Sequence, residues 1–265
     1  MKRHHLDLLL YGVAAIAIAA VGGSMLAAGA NGLSGVTLAV HVAAKWLLLA
    51  TGAWLSLRNA SAMGAGTAIG RAWRLFGLGI GLFFIAELGE AFYQFVLHTL
   101  NPFPSVLDVF YILAYPLLVL GLVGFVRAYS AVGYPMGSTR DTVIITVVLV
   151  AVGLAGVWPV LTAGDGDTPL WEKALAAAYP LLDVALLVAV GLLLRGARQF
   201  GGGHAWEVWA FIMAGMLVMI VGDFVYAYAS LNAEDVVDPI SEMLFVASYA
   251  LLARGALRQL DLIEA

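Results

Sequence analysis

Acidic side chains recur inside long apolar stretches of this chain. Glu87, Glu90, Asp183 and Asp223 lie well within such stretches. A carboxylate near the centre of a bilayer costs about 2.5–3.5 kcal/mol on insertion scales, so buried acids usually face the protein interior and have a partner. Tyrosines accompany them, and the chemistry indicated is the binding of a cation, of a cationic or hydroxylated ligand, or of protons.

The predicted site is an outward-facing acidic pocket between helices. Its predicted ligand-binding residues are Glu87, Glu90, Tyr93, Asp108, Tyr111, Tyr115, Tyr179, Asp183, Asp223, Tyr226, Glu242 and Tyr249. A second interpretation stays open, in which Asp108, Glu172 and Glu242 neutralise the N-termini of their helices. In that interpretation the tyrosines only satisfy buried carboxylates. No catalytic residue is assigned.

The segment NPFPSVLDVFYILAY predicts where one helix of the site begins. Pro102 and Pro104 disfavour a helix interior but are tolerated just before one. Ser105 stands at the expected N-cap, and Asp108 follows three residues later, as in a capping box. Asp108 and Tyr115, seven residues apart, then share one helix face.

Lys45 lies near the centre of an apolar stretch, where a free ammonium group is costly. We expect a buried structural ion pair with Asp183, or alternatively with Glu87. His41 and His98 are the candidates for haem or metal ligation, but no His-x₃-His pair supports such a site. The chain has no cysteine, and we predict no cofactor and no metal.

Composition assigns the chain to the membrane proteins. Hydrophobic residues make up 63% of it and charged residues 11%, and the net charge of −4 gives no basic surface for nucleic acid. We therefore predict an all-α bundle of eight transmembrane helices in a single domain covering residues 1–265. The predicted spans are Leu6–Ala28, Val36–Leu57, Trp73–His98, Leu107–Val126, Thr142–Leu161, Trp171–Leu194, Ala205–Ala229 and Ile240–Leu257.

Lys and Arg residues predict the orientation. With two exceptions they fall at the ends of spans that share one side, which the positive-inside rule assigns to the cytoplasm. Both termini are then cytoplasmic, in a multi-pass protein of the cell membrane. The basic, apolar N-terminus also has features of a signal peptide, but the even number of spans favours a retained first span.

An internal repeat is predicted from residues that recur after about half of the chain. Trp73 and Glu90 align with Trp206 and Asp223, and Asp108 and Tyr115 align with Glu242 and Tyr249. The Tyr115-Pro116 pair also recurs as Tyr179-Pro180. The prediction is two parallel four-helix repeats, about 1–130 and 140–265, related by an axis along the membrane normal.

The stretch from Arg71 onward resembles a known family of multi-pass sensor regions. These precede histidine-kinase, PAS or diguanylate-cyclase output domains in archaeal and actinobacterial membrane proteins. The resemblance rests on Glu87, Glu90, Tyr93, Pro102, Pro104, Ser105, Asp108, Phe110 and Tyr111, and in the second half on Tyr179-Pro180-x-x-Asp183, Gly222-Asp223 and Tyr226. It implies a sensory function. Because the chain ends at Ala265, soon after the last span, we expect signalling through a separate partner.

A weaker resemblance, to the lysoplasmalogenase family, implies an intramembrane lipid hydrolase with two buried acids. Gly89-Glu90 and Gly222-Asp223 would supply them, with one acting as acid and the other as base. A small-solute transporter and an accessory subunit of a membrane complex are further alternatives. Expected partners are membrane lipid, a signalling protein and a second copy of the chain, with no nucleic acid.

Overall fold

A computed structural model describes residues 3–28, 35–99, 102, 104–134, 138–162, 169–198, 201–232 and 238–264. Within these ranges the regular secondary structure is helical, joined by short turns, with no strand. The helices are α1 (Arg3–Ala28), α2 (Gly35–Ala62), α3 (Ala68–Phe92), α4 (Leu107–Ala131), α5 (Thr139–Thr162), α6 (Leu170–Ala197), α7 (His204–Asn232) and α8 (Asp238–Glu264). A single π-helical turn, Tyr93–Leu97, extends α3.

The predicted integral membrane helical bundle is confirmed. Of the helices in the described ranges, seven are long and apolar enough to cross a membrane, namely α1 to α4 and α6 to α8. α5 is not among those seven, but it covers the predicted fifth span as a helix. The bounds differ from the predicted spans by a few residues, because a helix continues past the apolar stretch into polar ends.

The helices pack in an arrangement that brings the two halves of the chain together. α3 packs along α4, and α7 packs along α8. α2 contacts both α3 and α8, while α6 contacts both α4 and α7. α1 completes one side against α2 and α8, and α5 packs on α6. Among the described helices, those of opposite halves therefore meet mainly where α8 packs on α1 and α2 and where α4 packs on α6.

Glycines allow the same close approach in the α3–α4 pair and in the α7–α8 pair. A Cβ atom at Gly79 would lie 3.1 Å from the carbonyl oxygen of Ala114, and one at Gly215 would lie 3.1 Å from that of Ser248. Small residues at such positions let membrane helices pack backbone to backbone. The two pairs thus have matching contacts, with Gly79 corresponding to Gly215.

This correspondence changes the register of the predicted repeat on α3 and α7. The sequence alignment matched Trp73 with Trp206 and Glu90 with Asp223. The glycine contacts instead match Trp73 with Trp209 and Glu87 with Asp223, about one helical turn away. Trp73 and Trp209 are both buried, with ring centroids 6.2 Å apart. A slip of three or four residues keeps the same helix face, so a sequence pattern of small residues does not exclude it.

Candidate functional site

Lys45 holds together a cluster of side chains from three helices. Its Nζ lies 2.7 Å from Oε2 of Glu87 on α3 and 2.9 Å from Oε2 of Glu242 on α8. His41, one turn before Lys45 on α2, places Nε2 2.5 Å from the same Glu242 oxygen. The Tyr249 hydroxyl donates to Oε1 of Glu87 over 3.3 Å. We call Lys45, His41, Glu87, Glu242 and Tyr249 the lysine cluster.

The predicted ion pair between Lys45 and Asp183 is wrong, whereas the alternative partner, Glu87, is confirmed. Asp183 lies on α6, which packs on α4 and α7, while Lys45 lies on α2, which packs on α3 and α8. The two residues therefore belong to different groups of helices. The second carboxylate that Lys45 meets, Glu242, comes from the far end of the chain.

A second cluster contains carboxyl groups and tyrosines from α4, α6 and α7. The Tyr115 hydroxyl donates to Oδ2 of Asp223 over 3.1 Å, and the Tyr179 hydroxyl donates to Oδ1 of Asp108. Asp183 lies within hydrogen-bonding range of both Asp223 and Tyr115. We call Asp108, Asp183, Asp223, Tyr115 and Tyr179 the aspartate cluster. None of its carboxyl groups contacts a basic side chain of the described residues.

Asp108 also caps its own helix, as the second interpretation of this residue predicted. Its Oδ2 accepts a hydrogen bond of 2.6 Å from the backbone N–H of Ser105, and Ser105 Oγ accepts one of 3.1 Å from the N–H of Leu107. These are the reciprocal bonds of a capping box, shifted by one residue at the hydroxyl. The cap fixes the Asp108 carboxylate, which then reaches α6 through Tyr179.

The two clusters occupy corresponding places in the two halves of the chain. Tyr249 of α8 donates to Glu87 of α3, as Tyr115 of α4 donates to Asp223 of α7. His41 of α2 contacts Glu242 near the start of α8, as Tyr179 of α6 donates to Asp108 near the start of α4. The matched pairs, lysine cluster first, are His41 with Tyr179, Lys45 with Asp183, Glu87 with Asp223, Glu242 with Asp108, and Tyr249 with Tyr115. One of these matched pairs differs in the sign of its charge, because Asp183 occupies the position that corresponds to Lys45.

Proline marks a further difference between the clusters. Pro116 and Pro180 lie inside α4 and α6, directly after Tyr115 and Tyr179. A proline within a helix removes one backbone hydrogen bond and favours a kink. The helices that carry Lys45 and Glu242 have no such interior proline. The aspartate cluster therefore lies on two weakened helices and the lysine cluster on continuous ones.

Four predicted site residues lie beside the clusters. Glu90 follows Glu87 by almost one turn on α3, is partly buried and adds to the negative charge near Lys45. Tyr111 lies in the field of Glu87 and Glu90, and its ring is 6.0 Å from that of Phe83. Tyr93 is partly buried where the π-helical turn begins, and Tyr226 on α7 is about half exposed.

The two histidines named as haem or metal candidates have different surroundings. His41 is buried and bonded to Glu242, whereas His98 is exposed at the end of the π-helical turn, with φ of 51°. Within the described part of the chain, no group of three or more His, Asp or Glu side chains is arranged to hold a metal ion. His41 was thus missed as a carboxylate partner. Its spacing of four from Lys45, on one helix face, was the available signal.

Comparison of the chain with protein-family models, with curated proteins and with solved structures gives no match.

Proposed function

We propose that this protein is an integral membrane ligand-binding and sensory module, in which a ligand or proton neutralises the aspartate cluster. The single observation that carries the proposal is that Asp183 on α6 lies beside Asp223 on α7, with Asp108 joined to α6 through Tyr179 and no basic neighbour of these acids among the described residues. Carboxylates kept together away from water repel one another, so neutralisation stabilises the arrangement in which they are close. The signal passes to a separate partner.

The orientation proposed for the module follows from charge. Asp108 lies at the end of the bundle where α2, α4, α6 and α8 begin, Asp223 lies in the half of α7 nearer that end, and Asp183 lies at the middle of α6, whereas Lys and Arg concentrate at the opposite end. By the positive-inside rule the basic end is cytoplasmic, in a cell membrane with both termini inside. The aspartate cluster then lies in the extracytoplasmic half of the bundle, and the ligand reaches it from that side.

The proposed mechanism is a binding-linked movement of α4 and α6. Tyr115 and Tyr179 connect the carboxylates to these two helices, immediately before Pro116 and Pro180. A change in carboxylate charge alters the hydrogen bonds that the two tyrosines donate. Because each proline removes a backbone hydrogen bond, the helix segments that follow can tilt. The ligand shifts a pre-existing equilibrium between two packings, and the cytoplasmic helix ends report it.

A double neutral variant, Asp183→Asn with Asp223→Asn, tests this coupling. Because the chain has no cysteine, spin labels can be placed at chosen sites. One label replaces Val132, 72% exposed at the end of α4, and the other replaces Leu262 near the end of α8. We expect the variant to shift the measured distance by about 2 Å or more, the size of typical helix movements in switching proteins.

The control pair places labels at Leu57 on α2 and Leu262 on α8, both of which belong to the lysine cluster's helices. Its distance is expected to stay unchanged in the same variant. An unchanged distance between positions 132 and 262, in protein that remains folded, would show that the aspartate cluster does not control α4.

A lipid hydrolase is a second candidate, supported by the closeness of Asp183 and Asp223. Two adjacent carboxyl groups can divide the roles of general acid and general base when their surroundings differ. The acid–base pair would be Asp183 and Asp223, whereas the sequence resemblance assigned these roles to Glu90 and Asp223. Incubation with an ether lysolipid would release aldehyde if this candidate is correct, and Asp223→Asn would abolish the release. No aldehyde from the folded wild-type protein would exclude it.

A further inference from the structure

We propose that the aspartate cluster binds a primary ammonium group, at the place that corresponds to Lys45 Nζ in the lysine cluster. The inference rests on the proposed ligand-binding function and specifies its ligand class. It depends on the matched geometry of the two clusters, in which a lysine in one half is replaced by an aspartate in the other.

The lysine cluster supplies the template for the bound group. Its ammonium lies 2.7 Å from Glu87 and 2.9 Å from Glu242. The matched carboxylates in the other half are Asp223 and Asp108. Asp223 accepts a hydrogen bond from Tyr115, and Asp108 accepts one from Tyr179 and one from the Ser105 N–H, but an ionised carboxylate has about four acceptor sites. Both carboxylates therefore keep capacity for N–H donors.

Asp183 gives a second, independent indication of a ligand. The residue is 2% exposed, and although its carboxyl group lies beside Asp223 and Tyr115, its Oδ1 is buried without a hydrogen-bond partner among the described residues. A buried acceptor left without a donor destabilises the folded protein, and more so when the group is charged. Asp183 stands where Lys45 stands in the other half, so the chain has replaced its own ammonium donor with an acceptor. A donor from outside the chain would satisfy that acceptor.

The chemistry of the cluster favours a primary amine over a fully methylated one. A primary ammonium group has three N–H donors and no acceptor, which suits the neighbouring carboxyl groups of Asp183 and Asp223. A tetramethylammonium ion has the same charge but no N–H donor, so it would leave Asp183 Oδ1 unsatisfied. Sites built around hydrogen-bonded ligands discriminate strongly against analogues that lack the bond.

The test is equilibrium binding of radiolabelled methylammonium to purified full-length protein. We expect saturable binding of one equivalent, at least tenfold weaker competition by tetramethylammonium, and loss of binding in both Asp183→Asn and Asp183→Lys. The Asp183→Asn variant keeps the side-chain shape, and the Asp183→Lys variant supplies an ammonium of its own, as Lys45 does. The control is Asp141→Lys, which changes an exposed acid on α5.

The source of the ammonium group is separated by lipid composition. If the natural ligand is a lipid headgroup, phosphatidylethanolamine in nanodiscs will compete with methylammonium and phosphatidylcholine will not. If it is a free amine, the two lipids will behave alike, and methylammonium will bind in both.

Each remaining outcome overturns a defined part of the inference. Equal binding of methylammonium and tetramethylammonium, or full binding by folded Asp183→Asn, would exclude the ammonium site. Sodium binding that needs Asp183, without amine binding, would contradict the ammonium ligand and leave the proposed function standing. An unchanged spin-label distance together with Asp183-dependent amine binding would contradict the sensory movement alone.

Discussion

The Lys45→Met variant is expected to lower the free energy of unfolding by about 3–5 kcal/mol, the usual cost of breaking a buried ion pair. Lys45 is the shared cation of Glu87 and Glu242, and the Lys45 and Glu87 side chains are each 6% exposed. Methionine fills a similar volume but leaves two neighbouring carboxylates without a counter-charge. Reversible unfolding in mixed micelles, followed by circular dichroism, measures the change.

Two further variants make this test specific. Adding Glu242→Gln to Lys45→Met is expected to recover part of the loss, because one uncompensated charge is removed. Arg58→Met is the control, since Arg58 and Glu264 form a 3.5 Å pair on the surface, where ion pairs contribute about 0–1 kcal/mol. Equal small losses in Lys45→Met and Arg58→Met would show that the lysine cluster does not hold the bundle together.

The Gly255→Val variant is expected to destabilise the protein by about 1–3 kcal/mol through overpacking. A Cβ atom at Gly255 would lie 2.7 Å from Cγ1 of Ile212 and 3.1 Å from the carbonyl oxygen of Val208, so α7 and α8 would have to separate. Gly121→Val should behave alike, because its Cβ would lie 3.0 Å from the backbone nitrogen of Phe76. Thermal unfolding of the purified variants measures both.

Gly12→Val is the matched control for these substitutions. Gly12 lies on α1 with no atom of another residue within 4 Å of the position that a Cβ would occupy. It should therefore keep wild-type stability. If Gly255→Val were as stable as Gly12→Val, the close α7–α8 contact would be wrong, and so would the correspondence of the two clusters that depends on it.

Much of the fold could be predicted because the sequence of each helix reflects its local environment, namely its apolar length and its capping residues. Apolar stretches of about 20 residues separated by short loops specify membrane helices. The Pro102-x-Pro104-Ser105 segment with Asp108 specified the start of α4 and its cap through local chemistry alone. Tyr115, Tyr179 and Tyr249 were named correctly as contacts of buried acids, since a carboxylate in an apolar helix needs a donor nearby.

The partners across the bundle could not be predicted, because they depend on which helices become neighbours. Lys45 has carboxylates available on several helices, and only the packing of α2 against α3 and α8 selects Glu87 and Glu242 over Asp183. The one-turn slip that matched Glu90 with Asp223 has the same origin. Helical periodicity identifies a face, but it does not give the depth at which that face meets its neighbour.

Anomalous diffraction from crystals grown with a thallous salt would test the central claim most directly. This ion has one charge and a size similar to ammonium, so it should mark the place of the bound group. We expect a strong peak beside Asp183 and Asp223, and none beside Glu87 and Glu242, where Lys45 already occupies the matching position. A structure with no peak at the aspartate cluster, or with an equal peak at the lysine cluster, would contradict it.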